Sequence, residues 1–156
     1  MNSMNCSFYN LAINDFLYLQ DNLNNSFYNN ITVQIQQIAE KLLKSVFELV
    51  CVENLQLLNT HNLRAIYVEI NKVDSTFILN KGDLSMLKDM YFDARYPGDN
   101  FIIVTGEECN EMLNIMYDTF EMVNTFRQKK NLKIFSFSRK YVDETKNNAL
   151  EQLNFF

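Results

Sequence analysis

The sequence predicts an all-α protein, an up-and-down bundle of four to five helices followed by a short C-terminal appendage. Three observations predict it. Among 156 residues there are only three Gly and one Pro, so the backbone has few places for tight turns and must be built of long elements. Ile31, Ile35, Ile38, Ala39, Leu42, Leu43, Val46, Phe47 and Val50 recur at steps of three and four, the stripe of an amphipathic helix on a core. Thr105-Gly-Glu-Glu108 has the form of a capping box, a strong helix start.

The elements follow in order. Phe8, Leu11, Ala12, Phe16 and Leu19 predict a first helix over Met4–Leu23. Asn22, Asn24 and Asn25 interrupt it, and Ser26 is the expected cap of the second helix. Glu40 and Lys44 stand four apart there and are expected to pair on its surface, with Lys41 and Lys44 marking a solvated face. Asn54–Val73 predicts a third helix with Leu63, Ile66, Tyr67 and Ile70 inward, and Asn59 or Thr60 as cap of its main part. A fourth is expected over Asp83–Arg95, with Leu84, Leu87 and Tyr91 inward. Pro97 restricts Tyr96 and requires that helix to end close to Arg95. After a loop holding Phe101 to Val104, Thr105 opens a fifth helix that runs to about Lys130. Glu107, Glu108 and Glu111 place negative charge where its dipole favours it, so this cluster is read as helix stabilisation rather than a metal site.

Residues 1–130 therefore read as one helical domain, and 131–156 as an extension that docks on the bundle or on a second subunit. Leu132–Phe137 is too short to classify, and Val142–Leu153 suggests a short helix.

Composition narrows the function. A net charge of −5 is wrong for a free-standing binder of duplex DNA. Cys6, Cys51 and Cys109 are odd in number and widely spaced, which argues against a zinc knuckle or redox pair. No apolar run reaches membrane-spanning length, and the opening MNSMNCSFYN lacks the basic and apolar regions of a secretion signal. The expectation is a cytoplasmic protein. Gly82, Gly98 and Gly106 form no phosphate loop, and one histidine, His61, excludes a helical H-E-x-x-H zinc site. No cofactor, metal site or catalytic set is expected.

Two patches remain: His61-Asn-Leu-Arg64, and Tyr91-Phe-Asp-Ala-Arg95-Tyr96-Pro97-Gly98. Tyr91 and Arg95 share a helical face, and a guanidinium beside two phenols suits a phosphate and a base. The bland reading is that Arg95 neutralises the helix end or pairs with Asp93 while Tyr91 and Tyr96 pack. Candidate ligand residues are thus Tyr91, Arg95, Tyr96, His61 and Arg64.

Together with Ile38-Ala-Glu-Lys-Leu-Leu-Lys44, the His61-Asn-Leu start and the Tyr91-x-x-x-Arg95-Tyr96-Pro97 segment resemble the HEPN domains (higher eukaryotes and prokaryotes nucleotide-binding), over roughly Met4–Lys130. The resemblance implies a helical bundle, generally a homodimer, that binds a nucleotide or RNA or is paired with a minimal nucleotidyltransferase in bacterial toxin–antitoxin or defence systems. One branch of the family consists of metal-independent ribonucleases carrying an Arg followed four to six residues later by a His. The arginines here are Arg64, Arg95, Arg127 and Arg139, and His61 precedes them all. The resemblance therefore implies a non-catalytic binding module. The alternatives are an RNA-cleaving toxin using His61 and Arg64 with Arg95, or a purely structural helical adaptor.

Overall fold

The computed structural model describes residues 7–153. They form five α-helices and no strand: α1 (Phe8–Gln20), α2 (Tyr28–Val50), α3 (Leu63–Val73), α4 (Lys81–Asp93) and α5 (Gly106–Lys129). Single turns of 3-10 helix lie at Leu55–Asn59 and Ala149–Gln152. Helix α2 is the axis of the bundle and packs against each of the other four. Its Ile/Leu stripe is fully buried. Among the described residues no helix is long and apolar enough to cross a membrane.

Side chains that bond their own backbone set most helix starts. The Ser7 hydroxyl accepts from the Asn10 amide and caps α1; the predicted start at Met4 lies outside the described residues. Helix α1 buries Tyr9, Ala12, Phe16 and Leu19, so Tyr9 replaces Phe8 in the expected stripe. Ser26 does not cap α2. Phe27 occupies that position with no side-chain bond, and the Ser26 carbonyl is taken instead by the Ala149 amide. The expected third helix is split, because Thr60 Oγ1 binds the Asn62 amide and Asn62 Oδ1 binds the Ala65 amide, which starts α3 nine residues late. Asn80 caps α4, and Ala94 closes it one residue before Arg95. The capping box of α5 forms in both directions, Thr105 Oγ1 to the Glu108 amide and Glu108 Oε1 to the Thr105 amide.

A Schellman turn ends α5. Leu132 donates to the Arg127 carbonyl and Asn131 to that of Gln128, with Asn131 at φ 56°. The chain then runs back along α5 as an extended strap. Arg127 Nε donates to the Lys133 carbonyl near one end, and Gly106 lies under Glu144 at the other. The two elements match in length: 21 helical residues rise ~32 Å, and 11 extended ones span ~36 Å.

Extended backbone with no strand beside it must find other partners. Helix α5 supplies them from Asn110, Tyr117 and Asn124, which stand seven apart on one face. Asn110 bonds both the amide and the carbonyl of Val142, at 2.9 and 3.1 Å. Tyr117 Oη accepts from the Lys140 amide and donates to the Lys140 carbonyl. Asn124 donates to the Phe135 carbonyl, while Tyr9 Oη accepts the Phe135 amide. Between these anchors Phe135 and Phe137 pack on Phe16, Tyr117 and Phe120, sealing the gap between α1 and α5. Val142–Leu153 is therefore irregular chain with a turn at Asp143–Lys146 and one 3-10 turn, not the short helix expected from its sequence.

The strap ends at a buried polar knot. Asn29 Nδ2 donates to the carbonyls of Ala94 and Ile102, both at 2.9 Å. Its Oδ1 accepts from the Val104 amide at 3.0 Å and from Asn148 Nδ2 at 2.7 Å. Asn29→Ala would orphan several of these buried groups and is expected to lower stability by about 3–5 kcal/mol in urea unfolding. A Cβ on Gly106 would stand 2.8 Å from Glu144 Cα, so Gly106→Ala is expected to displace the strap. Limited proteolysis within residues 131–153 should quicken, with a loss of about 1–3 kcal/mol.

Candidate functional site

The five candidate residues separate into two places. Tyr91, Arg95 and Tyr96 are brought together, and His61 and Arg64 lie elsewhere.

Helix α4 delivers Tyr91 from its last turn, and the Asn29 knot pins the chain that follows at Ala94, Ile102 and Val104. The Ile102 amide also donates to the Asp93 carbonyl, and Phe101 to that of Gly98, closing the Pro97–Gly98 turn. Arg95 is thereby held at the mouth of the connection. Its guanidinium lies 4.4 Å from the Tyr91 ring centre and 4.8 Å from that of Tyr96, and Nη2 donates to Tyr96 Oη at 2.8 Å. No carboxylate pairs with it, so the expected Asp93 partner is not found among the described residues. Arg95 and Tyr96 are exposed, the latter by 56%.

Arg95, Tyr96 and Pro97 form one wall of a cleft of about 670 Å³. The outer face of α2 forms the floor with Asn30, Val33, Gln34 and Gln37, and Phe101 and Leu150 close the sides. Its size falls in the range of small-molecule sites. The sequence reading missed Asn29, Asn30, Gln34 and Gln37. The signal was present: opposite the Ile/Leu stripe of α2, positions 30, 34 and 37 carry amides, where an idle surface helix more often carries charges. Gln34 Oε1 is buried with no hydrogen-bond partner, an arrangement that costs about 1–3 kcal/mol.

His61 sits on α2. Its Nδ1 is 2.9 Å from Glu40 Oε1, and the ring is 71% exposed. Gln36 donates to the same oxygen, and Lys44 Nζ binds Glu40 Oε2 at 3.1 Å. The Glu40–Lys44 pair is not the solvated surface pair expected from its spacing. Their side chains are 12% and 6% exposed, covered on one side by His61 and on the other by the ring of Phe8. Lys41 pairs with Asp15. Arg64 is exposed beside a hollow formed with Leu57, Asn62 and Glu69, and it makes no ion pair. No hydrogen bond, ion pair or shared hollow joins His61 to Arg95 among the described residues.

Other reactive groups are withdrawn from chemistry. Burial pushes the Cys109 thiol up to about 12, and the Cys51 thiol upward as well. Among the described residues no three His, Cys, Asp or Glu side chains gather as metal ligands.

Five helices pack as one all-helical bundle that sets the Arg95 guanidinium between two phenols beside an amide-lined cleft. Residues 7–129 match the family described as HEPN domain, and the chain belongs to that family. The match takes in all five helices and leaves the strap outside it. No curated protein matches the chain. No solved structure matches it either.

The thiol of Cys109 stays protonated in the fold to about 12, whereas an unfolded chain releases that proton near 9. The native state then holds the extra proton, so stability falls as pH rises through that interval, by roughly 1.4 kcal/mol per pH unit. Burial raises the phenols of Tyr9, Tyr28 and Tyr117, which adds to the effect above their ordinary range. Urea midpoints measured from pH 8 to 11 are expected to decline above 9, and less steeply in Cys109→Ala.

Proposed function

We propose that this chain is a non-catalytic HEPN binding and assembly module that takes a nucleotide in the Arg95 cleft. The observation that carries this reading is the state of Arg95 itself. A charge of fixed geometry stands at the cleft mouth between two aromatic faces, with no carboxylate among the described residues paired to it. A phosphate accepts paired hydrogen bonds from such a guanidinium, and the exposed ring of Tyr96 offers a surface for a base.

The family resemblance adds that the module works as a homodimer beside a minimal nucleotidyltransferase, within a bacterial toxin–antitoxin or defence pair. Lack of catalysis is supported by the single imidazole. It precedes every arginine in the chain, and its Nδ1 is engaged by Glu40, away from Arg95. The RNA-cleaving alternative required His61 and Arg64 to converge with Arg95. It is weighed against by the pairing of His61 with Glu40, with no hydrogen bond, ion pair or shared hollow to Arg95 among the described residues.

Titration calorimetry with ribonucleotides is expected to show binding that weakens about tenfold to a hundredfold in Arg95→Ala, with the melting temperature unchanged. A co-encoded nucleotidyltransferase is expected to be retained in a pull-down, and light scattering to give the mass of two chains. Purified wild type should leave an oligoribonucleotide intact. Cleavage that disappears in His61→Ala would reverse the reading in favour of a ribonuclease.

A further inference from the structure

Gln34 occupies an unusual position on the outer face of α2. It borders the Arg95 cleft and also two smaller hollows that continue it, one with Tyr18, Asn22 and Phe27, the other with Asp15 and Lys41. Asn30 stands four residues before it and Gln37 three after, so three carboxamides share one strip of helix. The one lysine on this strip, Lys41, is already taken by Asp15. Arg95 is therefore the cleft's only unpaired charge among the described residues. One guanidinium suits one phosphate, and a surface of neutral amides suits the uncharged part of a ligand.

The carbonyl of Gln34 sharpens this. Its oxygen is buried and has no hydrogen-bond partner among the described residues, although the residue as a whole is only half-buried. A glutamine carbonyl that faces water carries no such penalty. A carboxamide presents a donor and an acceptor side by side, the complement of a nucleobase edge, which also presents the two together.

We propose that Gln34, flanked by Asn30 and Gln37, reads the base edge of a nucleoside monophosphate whose phosphate is held by Arg95. On binding, the side chain turns its amide into the cleft, and the base N–H gives the carbonyl the partner it lacks. The ligand is thus a nucleoside monophosphate group, free or at the end of an RNA strand, rather than a bare phosphate or a sugar phosphate. This rests on the reading of the Arg95 cleft as a nucleotide site, and the test separates the two.

Calorimetry compares the four ribonucleoside 5′-monophosphates, ribose 5-phosphate and a 5′-phosphorylated tetraribonucleotide. At least one mononucleotide is expected to bind the wild type roughly tenfold or more tightly than ribose 5-phosphate. Gln34→Leu should erase that difference, leave ribose 5-phosphate unaffected and melt at the same or a higher temperature. Gln34→Glu, which keeps the shape and loses the donor, should also erase it. A tetranucleotide that binds more tightly than the monomer, and depends on Gln34, supports the base subsite and assigns it to a strand end; weaker binding with the same dependence supports it and assigns a free nucleotide. Nucleotide binding lost in Arg95→Ala but intact in Gln34→Leu would overturn the base subsite while the nucleotide reading stands. A marked fall in the melting temperature of Gln34→Leu would show a structural glutamine and overturn it too. No binding of any nucleotide to the wild type would overturn both.

Discussion

The carboxamide of Asn29 is the point on which the arrangement turns. A side-chain amide has two N–H donors and two acceptor lone pairs, and here all four are used on groups from three separate segments. The end of α4, the connection to α5 and the end of the strap meet on one buried residue of the central helix. A leucine in that place would leave backbone carbonyls and an amide unpaired inside the protein, which is more expensive than the burial it would add. Because Ala94 is one of the bonded groups, the residue next to it, Arg95, inherits its position from this knot.

The strap follows the same logic on a larger scale. An extended chain on a helical bundle has no ladder to join, and its amides and carbonyls would be orphaned wherever it excludes water. Helix α5 meets that requirement with Asn110, Tyr117 and Asn124 at two-turn intervals, and the alternation of the strap then turns Phe135 and Phe137 onto the aromatic cluster of Phe16 and Phe120. The polar residues inside α5 are thus partners for backbone and not defects of its core. Leu150, just beyond Asn148, lines the Arg95 cleft, so the strap is physically continuous with the site.

Charge is distributed to match. The cations Lys41, Lys44, Lys72 and Arg139 each find carboxylates within the fold, whereas Arg64 forms no ion pair, Arg127 meets a backbone carbonyl and the Tyr9 ring, and Arg95 meets two phenols.

The sequence by itself determined the helical class, the register of α2, the start of α5 and the end of α4 near Arg95. Those features depend on local physics: a 3.6-residue period, a reciprocal cap and the steric demand of Pro97. It also placed Tyr91, Arg95 and Tyr96 together, since neighbours along one helix end need no tertiary information. Only the tertiary structure decided the rest. Whether Lys44 faces water depends on what covers it, and Phe8 and His61 come from different helices and loops. The course of residues 131–153 depends on partners 11 to 32 residues away on α5, at Phe135 to Asn124 and Val142 to Asn110, and on Tyr9 and Asn29 well over a hundred residues away. The cleft, too, exists only where α2, the α4–α5 connection and Leu150 converge, and no period along one segment records a meeting of three.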